Sequence, residues 1–318
     1  MSPKKSPLKR RYFLGFDGGG TKTDCVLADA SGAFVAKSAA GPSNPLRAGY
    51  SSAWRALSKA ADAVLVQQHL KPGDVRGVCA GIAGAGRESV ARRAVESLQR
   101  RFPSARVEVT TDLAITLEAA LGEREGIVLV AGTGSAAFGR NANGRTSRAG
   151  GYGPWLSDEG SAFDIGRRAL AAVVLADERR GPSTALSDQL YKWLDCKEWD
   201  DVVAAAMRKP DEVFPRMFPL VAKSAGEGDS VSRKILLGAA ESLAELVGSV
   251  VERLEMRNRQ ISIALAGGTI GRSEFFDGAL RAALHRITPR AHIVSLEMTP
   301  AEAAARRAAR LAPHKPDA

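Results

Sequence analysis

From residue 12 onward, apolar positions alternate between a period of two and a period near three and a half, the patterns of strands and of amphipathic helices. A short apolar run at Tyr12–Asp17 breaks on three glycines. Lys22–Asp29 and Ala33–Ala39 follow as strands separated by an Ala-Ser-Gly turn, which predicts a three-strand meander. A helical pattern covers Arg47–Gln68, followed by a β-rich run at Val75–Ile82, a helix at Glu88–Arg101, a strand at Arg106–Thr111 and a helix at Leu113–Leu121. This order predicts a mixed α/β layer.

The same order restarts at Gly126–Ala131, an apolar strand that runs into a Gly-Thr-Gly-Ser turn, with strands at Ala136–Arg140 and near Thr146. Strand, Gly/Thr/Ser-rich turn, strand therefore occurs twice, predicting a duplicated architecture with two phosphate-facing turns. After Asp158 the pattern is mainly helical. A helix over Ser230–Arg257 carries Val231, Ile235, Ala239, Leu243, Leu246, Val250 and Leu254 on one face, which reads as core. A strand at Ile261–Ala266, a Gly-Gly turn, a helix from Ser273, a strand at His292–Leu296 and an Ala/Arg-rich helix from Pro300 complete the pattern.

With 318 residues, 45% hydrophobic and 25% charged, the chain has room for two domains and is unlike collagen, coiled coil or disordered sequence. No apolar run approaches the ~18 residues of a membrane helix, so no membrane partner is expected. The net charge is +10, and Lys4, Lys5, Lys9, Arg10 and Arg11 stand together in the first eleven residues without an acid. Residues 1–11 read as a solvated, disordered basic tail. Such a cluster also has the electrostatics for nucleic acid or an anionic surface, but nucleic acid is not the expected partner. Cys25, Cys79 and Cys196 are too scattered for a disulfide framework or a zinc site, which suits a reducing cytoplasm. The four histidines never pair at metal-ligand spacing.

Asp17-Gly-Gly-Gly-Thr-Lys-Thr joins two predicted strands. Its glycines let backbone N–H groups approach an anion, with Thr21 and Lys22 as further donors and Asp17 able to hold Mg2+ through water. The alternative is an ordinary glycine-rich hairpin. A Walker A loop is excluded, because Thr21 precedes Lys22 and a strand follows. Gly132-Thr-Gly-Ser-Ala-Ala137 matches a dinucleotide fingerprint by letter, yet Phe138-Gly-Arg-Asn-Ala-Asn-Gly cannot form the helix that fingerprint requires.

Asp112 lies where a strand gives way to a helix, the place where open α/β sheets hold ligands. It reads either as a general base for a hydroxyl during phosphoryl transfer or as a helix N-cap. Gly151, Tyr152 and Asp158 sit in a segment dense in glycine, aromatics and carboxylates, suited to a sugar ring and its hydroxyls, with an N-cap at Ser157 or Asp158 as the plainer reading. Asn44 offers a donor and an acceptor, or simply belongs to a turn.

Taken in order, these motifs resemble the N-acetylglucosamine kinases and the related activator ATPases of the BadF/BadG/BcrA/BcrD type, in the actin and hexokinase superfamily. The resemblance spans residues 12–311. It implies an α/β fold of two actin-like (ribonuclease H-like) domains, residues 12–113 and 114–298, with a nucleotide cleft between them and a final segment, 299–318, packing back on the first. It implies ATP and Mg2+ as cofactors. Asp17, Gly19, Gly20, Thr21 and Lys22 match the first phosphate motif, Gly132, Thr133, Gly134 and Ser135 the second, and Gly267 and Gly268 the adenosine motif, while Ala225 falls in a segment like the loop near the adenine. Asn44, Asp112, Thr133, Gly151, Tyr152 and Asp158 match sugar-contacting positions, Asp112 being the base and Asp17 the metal residue.

The implied activity is transfer of the γ-phosphate of ATP to a hexosamine hydroxyl, the expected acceptor being O6 of N-acetylglucosamine or glucosamine, in a cytoplasmic homodimer. Tyr152 stands where these kinases usually carry Trp, and Ser157 where they carry Gly, both beside the sugar positions. The activator branch holds an iron–sulfur cluster through a cysteine beside the second phosphate motif, and Val130-Ala-Gly-Thr-Gly has none. The remaining alternatives are an activator-type ATPase and a non-catalytic ATP/sugar sensor.

Overall fold

The computed structural model describes residues 11–196 and 198–311. The tail expected at 1–11 therefore lies outside the described residues but for Arg11, as does 312–318 of the expected final segment. In chain order the elements are β1 (Tyr12–Gly18), β2 (Thr23–Asp29), β3 (Phe34–Ala40), α1 (Pro45–Ala48), α2 (Tyr50–Gln67), β4 (Val75–Ile82), α3 (Glu88–Arg101), β5 (Arg106–Thr110) and α4 (Asp112–Leu121). There follow β6 (Gly126–Ala131), β7 (Ser135–Arg140), β8 (Thr146–Gly150), α5 (Ala162–Asp177), α6 (Leu186–Leu194), α7 (Trp199–Arg208), α8 (Pro210–Arg216), α9 (Phe218–Gly226) and α10 (Ser230–Arg253). The last are β9 (Ser262–Ala266), α11 (Glu274–Ile287), β10 (His292–Val294) and α12 (Pro300–Leu311).

The chain divides into two units, one taking in residues up to Gly122 and again from Glu297, the other Glu123–Leu296. The dividing point differs from the expected 113/114, because α4 packs on β4 of the first sheet: a Cβ on Gly81 would lie 2.7 Å from Ile115 Cγ1.

In the first unit the sheet order is β3-β2-β1-β4-β5, with β1–β3 antiparallel and β4 and β5 parallel to β1. The second repeats it as β8-β7-β6-β9-β10, with the same senses. The duplication read from two similar turns is thus a duplication of topology, the actin-like α/β arrangement. Central strands β1 and β6 are buried almost throughout, as a strand covered on both faces must be, whereas β3 at the edge is largely exposed.

Leu14, Phe16, Leu27, Val78 and Ile82 form the first core with Leu57, Val64 and Val90 from α2 and α3. The second core gathers Ile127, Leu129 and Ile263 from its sheet with Phe163, Phe218, Leu236, Leu243 and Phe276 from helices. On the first sheet, α12 approaches with its backbone. Ala301, Ala304, Ala305 and Ala308 are buried, and a Cβ on Gly15 would lie 2.1 Å from Ala305 N, one on Gly77 2.3 Å from Ala308 O.

Some element ends depart from the patterning. The single helix expected at Arg47–Gln68 is two, because Gly49 takes φ 79°, ψ 151° between α1 and α2. The helix expected to run to Arg257 stops at Arg253, and Glu255 turns left-handed at φ 59°. Residues 135–140 are a strand, so the dinucleotide match is accidental as read.

Candidate active site

The first glycine-rich turn is held from beneath. Gly19 N donates to Lys22 O at 2.9 Å and closes the hairpin, while Gly19 O accepts from Ser43 N and Asn44 N, each at 3.1 Å. Thr23 Oγ1 binds Gly41 O at 2.7 Å and Ser43 Oγ at 2.8 Å, and a side chain on Gly18 would strike that serine at 2.3 Å. With these anchors inward, Gly20 and Thr21 face solvent, and their amides have no acceptor among the described residues. Two free N–H groups on a braced turn can bind an anion. Lys22 differs from its expected role as a phosphate donor: its Nζ pairs with Asp24 Oδ2 at 2.7 Å, a partner the sequence reading missed.

Asp17 sits at the end of β1 at the foot of this turn. Its carboxyl is pushed up to about 7, first by burial and then by repulsion from Asp112 and Asp24, with Lys22 opposing. Asp112 is not the helix cap. Thr111 is, its hydroxyl accepting from Ala114 N at 3.1 Å, and Asp112 occupies the first helical position, where the α4 dipole favours a negative charge. The first unit thus places Asp17 at the foot of a turn with free amides, within electrostatic reach of Asp112. Asn44 caps α1, its Oδ1 accepting from Leu46 N at 3.0 Å, which leaves its amide donors for a ligand.

In the second unit Gly132 N donates to Gly134 O at 2.9 Å, and Gly132 O accepts from Ala162 N at 2.8 Å, next to the α5 cap Ser161. Thr133 is exposed at the tip. Under this turn lies the buried side chain of Asp158, itself left-handed at φ 67°. Its Oδ1 accepts from Ser135 N at 3.3 Å, and a Cβ on Gly134 would lie 2.7 Å from its Oδ2. Ser135 Oγ donates to Glu159 O at 2.7 Å. Asp158 therefore braces the turn, a role its sequence context did not reveal, and neither it nor Ser157 caps the helix.

The Gly-Gly turn after β9 joins the same construction. Gly267, at φ 108°, passes so close that a side chain would meet Ala131 O at 2.2 Å. Thr269 donates to that carbonyl from both N (3.1 Å) and Oγ1 (2.8 Å), and a Cβ on Gly132 would stand 3.5 Å from Gly268 N. Thr269, missed as a site residue, stands in the Ala-Gly-Gly-Thr motif itself. Gly151 is left-handed at φ 75°, and Tyr152 beside it is exposed with the Arg148 guanidinium over its ring.

Ala225 is a correction. Instead of lining a loop it is fully buried in the last turn of α9, beside Val221 and Ser224, with its carbonyl accepting from Arg233 Nε at 2.9 Å. Its side chain has no surface to offer a nucleotide.

Among the described residues no helix is long and apolar enough to cross a membrane, and no three His, Cys, Asp or Glu side chains cluster as a metal site. The chain is 30% identical to the N-acetylmuramic acid/N-acetylglucosamine kinase of Clostridium acetobutylicum, over 90% of this chain and 94% of that one. It is 29% identical to the N-acetyl-D-glucosamine kinase of Dictyostelium discoideum, over 94% and 98%. A candidate N-acetylglucosamine kinase from Chromobacterium violaceum superposes with a TM-score of 0.77 at 26% identity, over 94% of this chain and 99% of that one. Residues 14–305 match the BadF/BadG/BcrA/BcrD ATPase family, to which this chain belongs.

Proposed function

We propose that the protein is an ATP-dependent aminosugar kinase, transferring the γ-phosphate of ATP to a hexosamine hydroxyl, O6 of N-acetylglucosamine or glucosamine. The observation that carries this reading is Asp17 at the foot of a turn whose free amides can take phosphate, with Asp112 within its electrostatic reach. The names of the relatives supply the substrate class. Gly20 and Thr21 of the first turn, the Gly132–Ser135 turn with Gly267 and Gly268, and Lys22 if it leaves Asp24 are the groups proposed for ATP. Asn44, Thr133, Gly151, Tyr152 and Asp158 are those proposed for the sugar.

Asp112 takes the proton from the sugar hydroxyl as that oxygen bonds to the γ-phosphorus and ADP departs. Positioning dominates, since phosphoryl transfer passes through a loose transition state. Mg2+ fits this site: a half-buried carboxylate that feels the charge of Asp112 and Asp24 is relieved by a divalent cation, and phosphates and water can complete its shell. Asp17 is the residue that would hold it, and the ion would neutralise charge developing on the phosphates. A cytoplasmic homodimer accompanies the proposal, and light scattering of the purified protein checks the assembly.

The test is ADP release with Mg-ATP across glucosamine, N-acetylglucosamine, N-acetylmuramic acid, N-acetylmannosamine, glucose and a blank without sugar. Turnover that depends on one aminosugar and is lost in Asp112→Asn supports the reading. ATP hydrolysis indifferent to sugar overturns it in favour of an activator-type ATPase, and ATP binding without turnover in favour of a sensor.

A further inference from the structure

Arg148 lies on β8, at the edge of the second unit's sheet, and Tyr152 follows the strand by two residues. The Arg148 guanidinium stands over the Tyr152 ring, 4.5 Å from its centroid. The guanidinium beside it holds the phenolic hydroxyl below its ordinary pKa. Arg253, in the last turn of α10, donates Nη1 to the Arg148 carbonyl at 2.8 Å and adds its charge at the same ring.

Counter-charge is missing here. Glu252 is taken by Arg257, and Glu255 by Arg145 at 3.4 Å. Among the described residues neither Arg148 nor Arg253 has an acidic partner. Both arginines place positive charge at the Tyr152 ring without an acid beside them, and such a positive patch gains when an anion arrives. A guanidinium already oriented over a ring is prepared for bidentate binding of a carboxylate.

We infer that Arg148 and Arg253, with the Tyr152 hydroxyl, form an anion subsite that takes a carboxylate carried on a substituent of the sugar. The inference rests on the kinase reading for the placement of the sugar at Tyr152. Arg148 covers one face of the ring, so the sugar uses the other face or the edge, and a substituent reaching past the edge meets the guanidinium. The same loop exposes Trp155 and Leu156, 75% and 83% accessible, which suits a carboxylate on a short apolar arm. Tyrosine adds a hydroxyl that can donate to the anion beside the guanidinium.

The experiment uses the whole protein and compares calorimetric binding and ADP release for N-acetylmuramic acid and N-acetylglucosamine, in wild type, Arg148→Gln, Arg148→Lys and Tyr152→Trp. The wild type is expected to prefer the carboxylated sugar by about tenfold at low ionic strength, with Arg148→Gln bringing the ratio near one and Arg148→Lys restoring part. Added salt compresses the preference, and Tyr152→Trp reduces it. A wild type indifferent to the carboxylate, or a preference unchanged in Arg148→Gln, overturns the subsite while sugar-dependent turnover leaves the kinase reading intact. Arg148-dependent binding of the acidic sugar without turnover of either sugar upholds the subsite and overturns the kinase. Neither binding preference nor turnover overturns both.

Discussion

Asp17 and Asp112 illustrate how one residue's surroundings set another's chemistry. Asp112 starts α4 and benefits from its dipole, while Asp17 is half-buried and repelled by the Asp112 charge. Replacing Asp112 by Asn is expected to lower kcat by about 10²–10⁴-fold, the usual worth of a general base, with nucleotide binding retained. ADP release and nucleotide titration on the same variant check it. For Asp17 the sign of the pH effect follows from its raised value. The folded protein keeps this proton up to about pH 7, the unfolded chain only to about pH 4. Ligand-free stability from this group is therefore greatest below pH 4, falls as the pH rises, and is fully reduced above 7, by on the order of a few kcal/mol. Asp17→Asn should raise the Tm of the ligand-free protein at pH 8 but not at pH 4, while abolishing turnover. Thermal scans at the two pH values decide, and equal shifts at both would refute the assignment.

At the scale of elements, α12 ties down the segment that carries Asp112. Arg307 reaches Glu108 on β5 and, at 2.9 Å, Glu118 on α4, and Arg310 also binds Glu118, whose side chain is 5% exposed. Glu118→Ala leaves two arginines facing a vacancy and should cost about 2–4 kcal/mol, toward the lower end because both guanidinium groups keep some water. Denaturant unfolding measures it. Gly15→Ala puts a methyl where Ala305 N already stands, and is expected to destabilise more than any exposed glycine replacement, such as Gly144→Ala. The alternation of apolar residues made the strands and most helices legible, since burial of one face leaves a period that survives in one dimension. What stayed illegible depends on contacts distant in sequence: Gly49 breaking a helix, Thr111 displacing Asp112 as cap, Asp158 propping Gly134 from 24 residues away, and Ala225 turning inward. The two glycine-rich turns were legible because glycine in a fixed pattern has few other uses. Asp24 and Arg148 were not, because an ordinary charge gains meaning only from its neighbours.

At the scale of the whole molecule, two copies of one strand order carry different additions. The helices α5–α10 all lie between β8 and β9, so the second unit gains a helical layer without disturbing its sheet. That unit is continuous from Glu123 to Leu296 and has its own core, whereas the first lacks α12 unless the chain returns after Glu297. Residues 123–296 expressed alone are therefore expected to unfold cooperatively. Residues 11–122 alone should not, because Gly15 and Gly77 leave β1 and β4 bare where α12 belongs. Calorimetry of the two fragments checks both outcomes.

The glycine hollows under α12 also bear on the order of events at the ribosome. Synthesis delivers about 5–20 residues per second, and domains usually fold as they emerge, the earlier first. Here the earlier stretch cannot finish first. Its sheet waits, with a strip of backbone uncovered, until α12 emerges some 180 residues after α4, by which time the second unit has left the exit tunnel whole. The nascent first half is thus the stretch most exposed to chaperones and proteases, and a pause that keeps α12 inside the tunnel after Leu296 has emerged should lengthen that exposure while leaving residues 123–296 folded.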